Sequence, residues 1–302
     1  MNLDYSFYKV SDGRSLAYKK WDKVESPLGV VILIHGMAEH IERYDAFANF
    51  LNSKGLIVYG TDQRGHGKTS GKKGLFTYKK GWSRVVEDQE EFFSFVKKED
   101  GDLEISYVTH SMGSYIGRAL LSRNNLSIKR IIISGTGYEK NIKIFYGIIL
   151  SALIGLFKGK GEDGKIVDSM VSGPFAASVK NPVTSFDWLS RDHDEVSKYI
   201  NDSNCGFVCT NRFFYDFFHI IYKTCNTGFI KKIDKELPIL LYSGSDDPVG
   251  GKDASNVKKL FEIYKTVGLN ADLKINQGGR HESLNETNRE EVYNIFSAFL
   301  LS

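Results

Sequence analysis

The sequence predicts an α/β fold: a mostly parallel, doubly wound sheet with an inserted helical subdomain. Three observations carry this reading. Short β-branched runs alternate with segments of helical period. The alternation breaks off after residue 137 and resumes near residue 238. Glycine is plentiful (29) and proline scarce (5), which suits many tight strand-to-helix turns. Strands that alternate with helices in one direction form a parallel sheet covered on both faces.

The elements follow in order. Phe7–Val10 and Leu16–Tyr18 flank Asp12-Gly13 and read as two strands around a tight turn. Gly29-VVILI-His35-Gly36 is a short, wholly apolar run stopped by glycine, the pattern of a strand buried on both faces. Ile41, Tyr44, Ala48 and Leu51 recur at helical spacing, and Gly55 ends that helix. Leu56–Gly60 is a second buried strand, and Trp82, Val85, Val86, Phe93 and Val96 mark a helix. Ile105–Val108 and Ile131–Ser134 are further strands, with a helix between them through Met112, Tyr115, Ile116, Ala119 and Leu120. After the break come a strand at 238–243, a helix near 253–267, a strand at 273–275 and a last helix. Thr287-x-x-Glu290 reads as the capping box of that last helix. A structureless loop as long as the break does not fit a compact sheet, so residues 138–228 are expected to form a helical cap, with 1–137 and 229–302 as the core.

Composition excludes several classes. At 302 residues the chain needs no disulfide staples, and 41% hydrophobic with 25% charged residues is ordinary for a globular protein. Forty basic against 37 acidic residues leave a net charge of +3, too balanced to imply nucleic acid as a partner. Cys205, Cys209 and Cys225 are odd in number and poorly spaced for a metal, with no histidine at a partner spacing, so they read as reduced thiols. The N-terminus lacks a basic patch followed by an apolar core, which points to a cytoplasmic protein. The run Ile144–Phe157 is apolar but too short to span a bilayer.

The chemistry centres on Val108-Thr-His-Ser111-Met-Gly113. Ser111 lies between the end of a buried strand and the start of an amphipathic helix, the context of a nucleophile elbow. Gly113 fits the close approach expected there, whereas Thr109 stands where the elbow motif has glycine. The alternative reading is a plain helix N-cap. A serine nucleophile needs a base and an orienting acid. His281, in Gln277-Gly-Gly-Arg-His281-Glu, and Asp247 or Asp246, in Gly244-Ser-Asp-Asp-Pro-Val-Gly250, fall in loops at strand C-termini. Those loops share the sheet edge of Ser111, in the order Ser, Asp, His. Amides of Met112 and Met37 are the candidate oxyanion donors, while His35 and His40 are expected to tie down the loop after the first core strand.

HGMAEHIERYDAFANFL, TDQRGHGKTSG, VTHSMGS, SGSDDPVG and GGRHE together resemble the serine hydrolases of the α/β-hydrolase fold, in the monoacylglycerol lipase and bacterial lysophospholipase group. The segment SFDWLSRDHDEVSKYINDSNCGF is similar to the cap of the bacterial members. The resemblance implies Ser111 as nucleophile, Asp247 rather than Asp246 as the acid, His281 as the base, and Met37 and Met112 as oxyanion donors. It implies a small lipid-like ester substrate and a scheme that uses no cofactor or metal. The 144–157 run, followed by Lys158 and Lys160, is expected to act as a lid touching membrane surfaces. The aromatic block 213–218 is divided between walling an acyl tunnel and packing the cap onto the core. An aminopeptidase on the same fold would need a cap carboxylate for the substrate amine, with Asp192, Asp194 and Glu195 as candidates. A ligand-binding homologue without catalysis is the third reading.

Overall fold

The computed structural model describes residues 5–139 and 141–302. Eight strands form one sheet in the order β1-β2-β4-β3-β5-β6-β7-β8. They are β1 (Ser6–Lys9), β2 (Ser15–Trp21), β3 (Gly29–Ile34), β4 (Leu56–Thr61), β5 (Ile105–His110), β6 (Ile128–Ser134), β7 (Ile239–Gly244) and β8 (Ala271–Asn276). β1 and β2 pair antiparallel, as the turn at Asp12-Gly13 predicts, and β2 runs antiparallel to β4. The pairings among β3 to β8 are all parallel.

Every residue of β3, β4, β5 and β7 is buried. The reason is visible in β3. Val31 and Leu33 face one layer, with α1 (Asp45–Ser53) and α10 (Arg289–Leu301). Val30, Ile32 and Ile34 face the other, with α2 (Gly81–Glu99), α3 (Met112–Leu121) and α9 (Ser255–Thr266). A strand covered on both faces must be apolar throughout, so its sequence does not alternate.

Two sequence expectations are corrected in detail. The helix expected from Ile41 opens with a 3₁₀ turn over Ile41–Tyr44 before α1. The Thr287-x-x-Glu290 capping box does not form: α10 starts at Arg289 after Asn288, and Thr287 bonds its neighbour Glu286. Asn288 instead links to Asn276 and Glu291, which ties the helix to the end of β8.

Among the described residues five helices lie between β6 and β7: α4 (Asn141–Lys158), α5 (Lys165–Ala176), α6 (His193–Asn201), α7 (Asn211–Thr224) and α8 (Thr227–Ile230). α4 packs on α7, and α7 packs on α3, so this block sits over the helix behind Ser111. Among the described residues no helix is long and apolar enough to cross a membrane.

Candidate active site

The site is built from the strand ends. β5 leads directly into Ser111, whose backbone sits at φ 52°, ψ −120°, and α3 begins at the next residue. A positive φ at a non-glycine residue costs on the order of 1–3 kcal/mol and has to be held by its surroundings. Two glycines do so. A Cβ at Gly113 would lie 2.3 Å from the Ile34 carbonyl oxygen, so α3 crosses β3 in close backbone contact. A Cβ at Gly117 would lie 2.8 Å from the Thr109 methyl. Thr109 is thus accommodated where the elbow motif has glycine, because the facing position on α3 carries no side chain. Its hydroxyl donates to the Ile132 carbonyl at 3.0 Å. Ser111 is the N-cap of α3 by position, but its hydroxyl caps no helix amide.

That hydroxyl instead donates to His281 Nε2 at 2.9 Å, and His281 Nδ1 donates to Asp247 Oδ1 at 2.9 Å. Asp247 Oδ1 also accepts the Val249 amide at 2.9 Å. Asp246, the competing acid, is exposed and pairs with Ser245. Burial pulls the His281 imidazole down, but the Asp247 carboxylate and its hydrogen bond, with Glu282 and Glu39 farther off, outweigh it, so its pKa lies above the ordinary value. His110, whose ring centre is 4.8 Å from that of His281, is held down to about 3 by burial and by His281 itself. It stays neutral and does not compete with an imidazolium at His281.

The loop after β3 is fixed from several sides. His35 Nε2 accepts the Gln63 amide at 2.8 Å, and His40 Nε2 meets Asp202 Oδ2 at 2.8 Å, so both histidines are tying groups as expected. Glu39 Oε1 accepts the Gly36 amide at 2.5 Å and the Tyr44 hydroxyl at 3.0 Å. Arg43 bridges Glu39 (2.7 Å) to both oxygens of Glu282 (2.6 Å each). The Met37 segment is therefore braced against the residue next to His281. Met112 opens α3, where a helix amide has no intrahelical acceptor.

Ser111 and His281 line a cavity of about 410 Å³, together with Met37, Tyr115, Trp188 and Phe217. The aromatic block divides: Phe213 and Phe214 are buried packing, whereas Phe217 and Phe218 line the cavity. Sequence reasoning gave no role to Trp188, a position similar to the family's cap, and missed the Arg43–Glu282 pair. The Trp188 ring lies tilted against that of His281, with centres 5.0 Å apart. The Arg43–Glu282 pair was signalled only by a glutamate directly after the candidate base. Asp192 caps α6 and pairs with Arg289, and Glu195 pairs with Lys198 and Arg289. Neither these two nor Asp194 is among the cavity-lining residues. The three cysteines are free and buried. The fold does bring a histidine to one of them: ligand atoms of His40, Asp202 and Cys205 lie within 4.8 Å of one another, a neighbourhood that linear spacing could not reveal.

A sequence profile described as serine aminopeptidase, S33, matches residues 25–288. A monoglyceride lipase homolog of Monkeypox virus is 23% identical over 271 residues, covering 89% of this chain and 87% of its own. The human monoglyceride lipase is 27% identical over 282 residues, covering 90% and 81%. The crystal structure of a thermostable carboxyl esterase from Bacillus coagulans, in complex with glycerol, superposes with a TM-score of 0.90 at 26% identity, covering 99% of this chain and 98% of that one. A monoglyceride lipase from Saccharomyces cerevisiae shares the fold at a TM-score of 0.73 and 21% identity, covering 99% and 94%. The chain belongs to the serine aminopeptidase S33 family and is a carboxylic ester hydrolase of the α/β-hydrolase fold, similar to monoacylglycerol lipases.

Proposed function

We propose that the protein hydrolyses the ester of a monoacylglycerol or lysophospholipid through an acyl-enzyme, with Ser111 as nucleophile, His281 as base and Asp247 as orienting acid. The observation that carries this is the continuous hydrogen-bonded chain Ser111–His281–Asp247 opening into a cavity that apolar side chains dominate. Ser111 Oγ attacks the carbonyl carbon while His281 Nε2 takes its proton. Asp247 holds the Nδ1 tautomer and stabilises the imidazolium. The negative charge on the former carbonyl oxygen meets the Met112 and Met37 amides. The imidazolium then protonates the leaving alcohol, and water repeats the sequence to release the acid.

In this reading residues 138–228 act as a cap that walls the cavity, and the outer face of α4 meets lipid surfaces. Phe145, Tyr146, Ile149, Leu153, Leu156 and Phe157 are all exposed on that helix, an arrangement that suits an interfacial element. The family's name is that of a peptidase, but Asp192 and Glu195 are engaged in capping and ion pairs, and Asp194 does not line the cavity. Turnover of monoacylglycerol and lysophospholipid series, compared with amino-acid anilides, tests the proposal. Ester turnover with no anilide turnover is expected, and the reverse would move the assignment to the peptidase.

A further inference from the structure

Four carboxylates line the cavity: Glu39, Glu139, Asp168 and Glu282. Among the described residues no lysine or arginine lines it. Three of the four are engaged. Glu39 and Glu282 share Arg43, and Glu139 accepts from Asn256 Nδ2 at 3.3 Å. Asp168 has no cationic partner among the described residues, and its polar neighbour is the Ser172 hydroxyl one turn on. Burial lifts its carboxyl above the usual range against the pull of that hydroxyl. A half-buried acid without a counter-charge gains from a donor brought by a ligand.

The geometry of α5 places this acid relative to the chemistry. Asp168, Val171, Ser172, Phe175 and Ala176 form the cavity-facing stripe of the helix. The Phe175 ring lies tilted 5.0 Å from that of Trp188, and the Trp188 ring tilted 5.0 Å from that of His281, so the C-terminal end of α5 is the end near His281. Asp168 lies two turns earlier, on the order of 10 Å along the axis. Ile144, Phe217, Phe218 and Ile221 also line the cavity and supply an apolar wall for a hydrocarbon chain.

We infer that Asp168 is a specificity-determining residue: it selects acyl chains carrying a hydrogen-bond donor, a hydroxyl or an ammonium, at a distance from the ester carbonyl, over plain alkyl chains of equal length. This rests on the esterase reading above and adds to it a polar filter within the acyl path. A plain alkyl chain passing Asp168 desolvates the carboxylate and returns nothing. A chain with a donor regains the lost hydrogen bond.

The test uses nitrophenyl esters in three sets: acetate, medium-chain alkanoates, and the same alkanoates ending in a hydroxyl or an amine. Hexanoate esters of amino alcohols are added to place the donor on the alcohol side. Wild type should favour the donor-ended acyl chains over plain ones in kcat/KM by about tenfold, the worth of one hydrogen bond to a charged group. Asp168→Leu should reverse that preference, read as the ratio of kcat/KM between donor-ended and plain chains. Asp168→Asn should lose the amine preference and keep part of the hydroxyl preference. Selectivity that is the same in wild type and both variants, or that appears only with the amino-alcohol esters, overturns the inference. Failure of wild type to hydrolyse even the acetate would instead overturn the esterase reading on which it rests.

Discussion

Helices α3 and α4 are both rich in apolar residues, yet they have opposite fates. Every residue of α3 is buried, and α3 is pressed so closely on the sheet that Gly113 and Gly117 admit no Cβ. On α4, Leu156 and Phe157 are 70% and 82% exposed. The difference lies in what each helix faces. α3 follows a buried strand and is held between the sheet and α7, while α4 packs chiefly on α7 and leaves many of its apolar side chains exposed. Apolar content therefore does not decide burial. The number of covering layers does, and an exposed apolar face is the informative case.

The largest effect that would break this contrast is at the elbow. Ser111→Ala should lower kcat by several orders of magnitude and abolish labelling by a fluorophosphonate, with folding unchanged. A loss below about tenfold would remove Ser111 from the nucleophile role. Asp247→Asn should follow at roughly 10³–10⁴ in kcat, because the imidazole would lose its tautomer and its counter-charge. Asp246→Asn, at the exposed neighbour, should leave steady-state rates nearly unchanged and so serves as the internal control.

Backbone closeness gives the next effect. Gly117→Ala would bring a methyl against Thr109 and should cost about 1–3 kcal/mol in urea unfolding. Adding Thr109→Gly should recover most of that loss. If the double variant is no more stable than Gly117→Ala, the two positions are not complementary and the elbow is accommodated some other way.

The acid limb of the pH–rate profile is a smaller effect. In the proposed mechanism His281 can serve as base only when neutral, and its pKa is raised, chiefly by Asp247 against the opposing effect of burial. The limb should therefore have its midpoint above the ordinary imidazole value, with activity falling as pH drops through it. Glu282→Gln removes a contributing negative charge and should move the midpoint down. For stability the sign is opposite: the contribution from this ion pair is complete at low pH and is lost as pH rises through the raised pKa. An unmoved midpoint would mean that Glu282 acts only through Arg43.

Much of the fold and of the candidate site was legible because it depends on local pattern. Buried strands ending in glycine, a serine at a strand-to-helix junction, and loops in the order Ser, Asp, His can each be read along the chain. What was not legible depends on residues that meet only in space. Arg43 and Glu282 form one ion pair across most of the sequence, and Trp188 reaches His281 from between α5 and α6. The failed capping box at Thr287 shows the converse. A correct local signal was overridden because Asn288 is held by Asn276 at the end of β8. The division of Phe213–Phe218 depends on what each ring meets in space: Phe213 packs on His66 and Phe76, whereas Phe217 reaches Tyr115 at the cavity, and periodicity alone cannot assign that.

The smallest effect on stability tests the open side of the contrast. Leu156→Ser with Phe157→Ser changes two exposed side chains at the end of α4, so thermal unfolding should stay within about 0.5 kcal/mol of wild type. A soluble short-chain ester never needs a lipid surface, and its turnover should be unchanged. Flotation with phospholipid vesicles, and turnover of a long-chain monoacylglycerol presented in them, should both fall, because each buried apolar side chain contributes to partitioning on the order of 1.5–3 kcal/mol. If vesicle binding persists, the face that meets lipid lies elsewhere. If stability drops instead, α4 is covered in solution, and its resemblance to α3 is closer than its exposure implies.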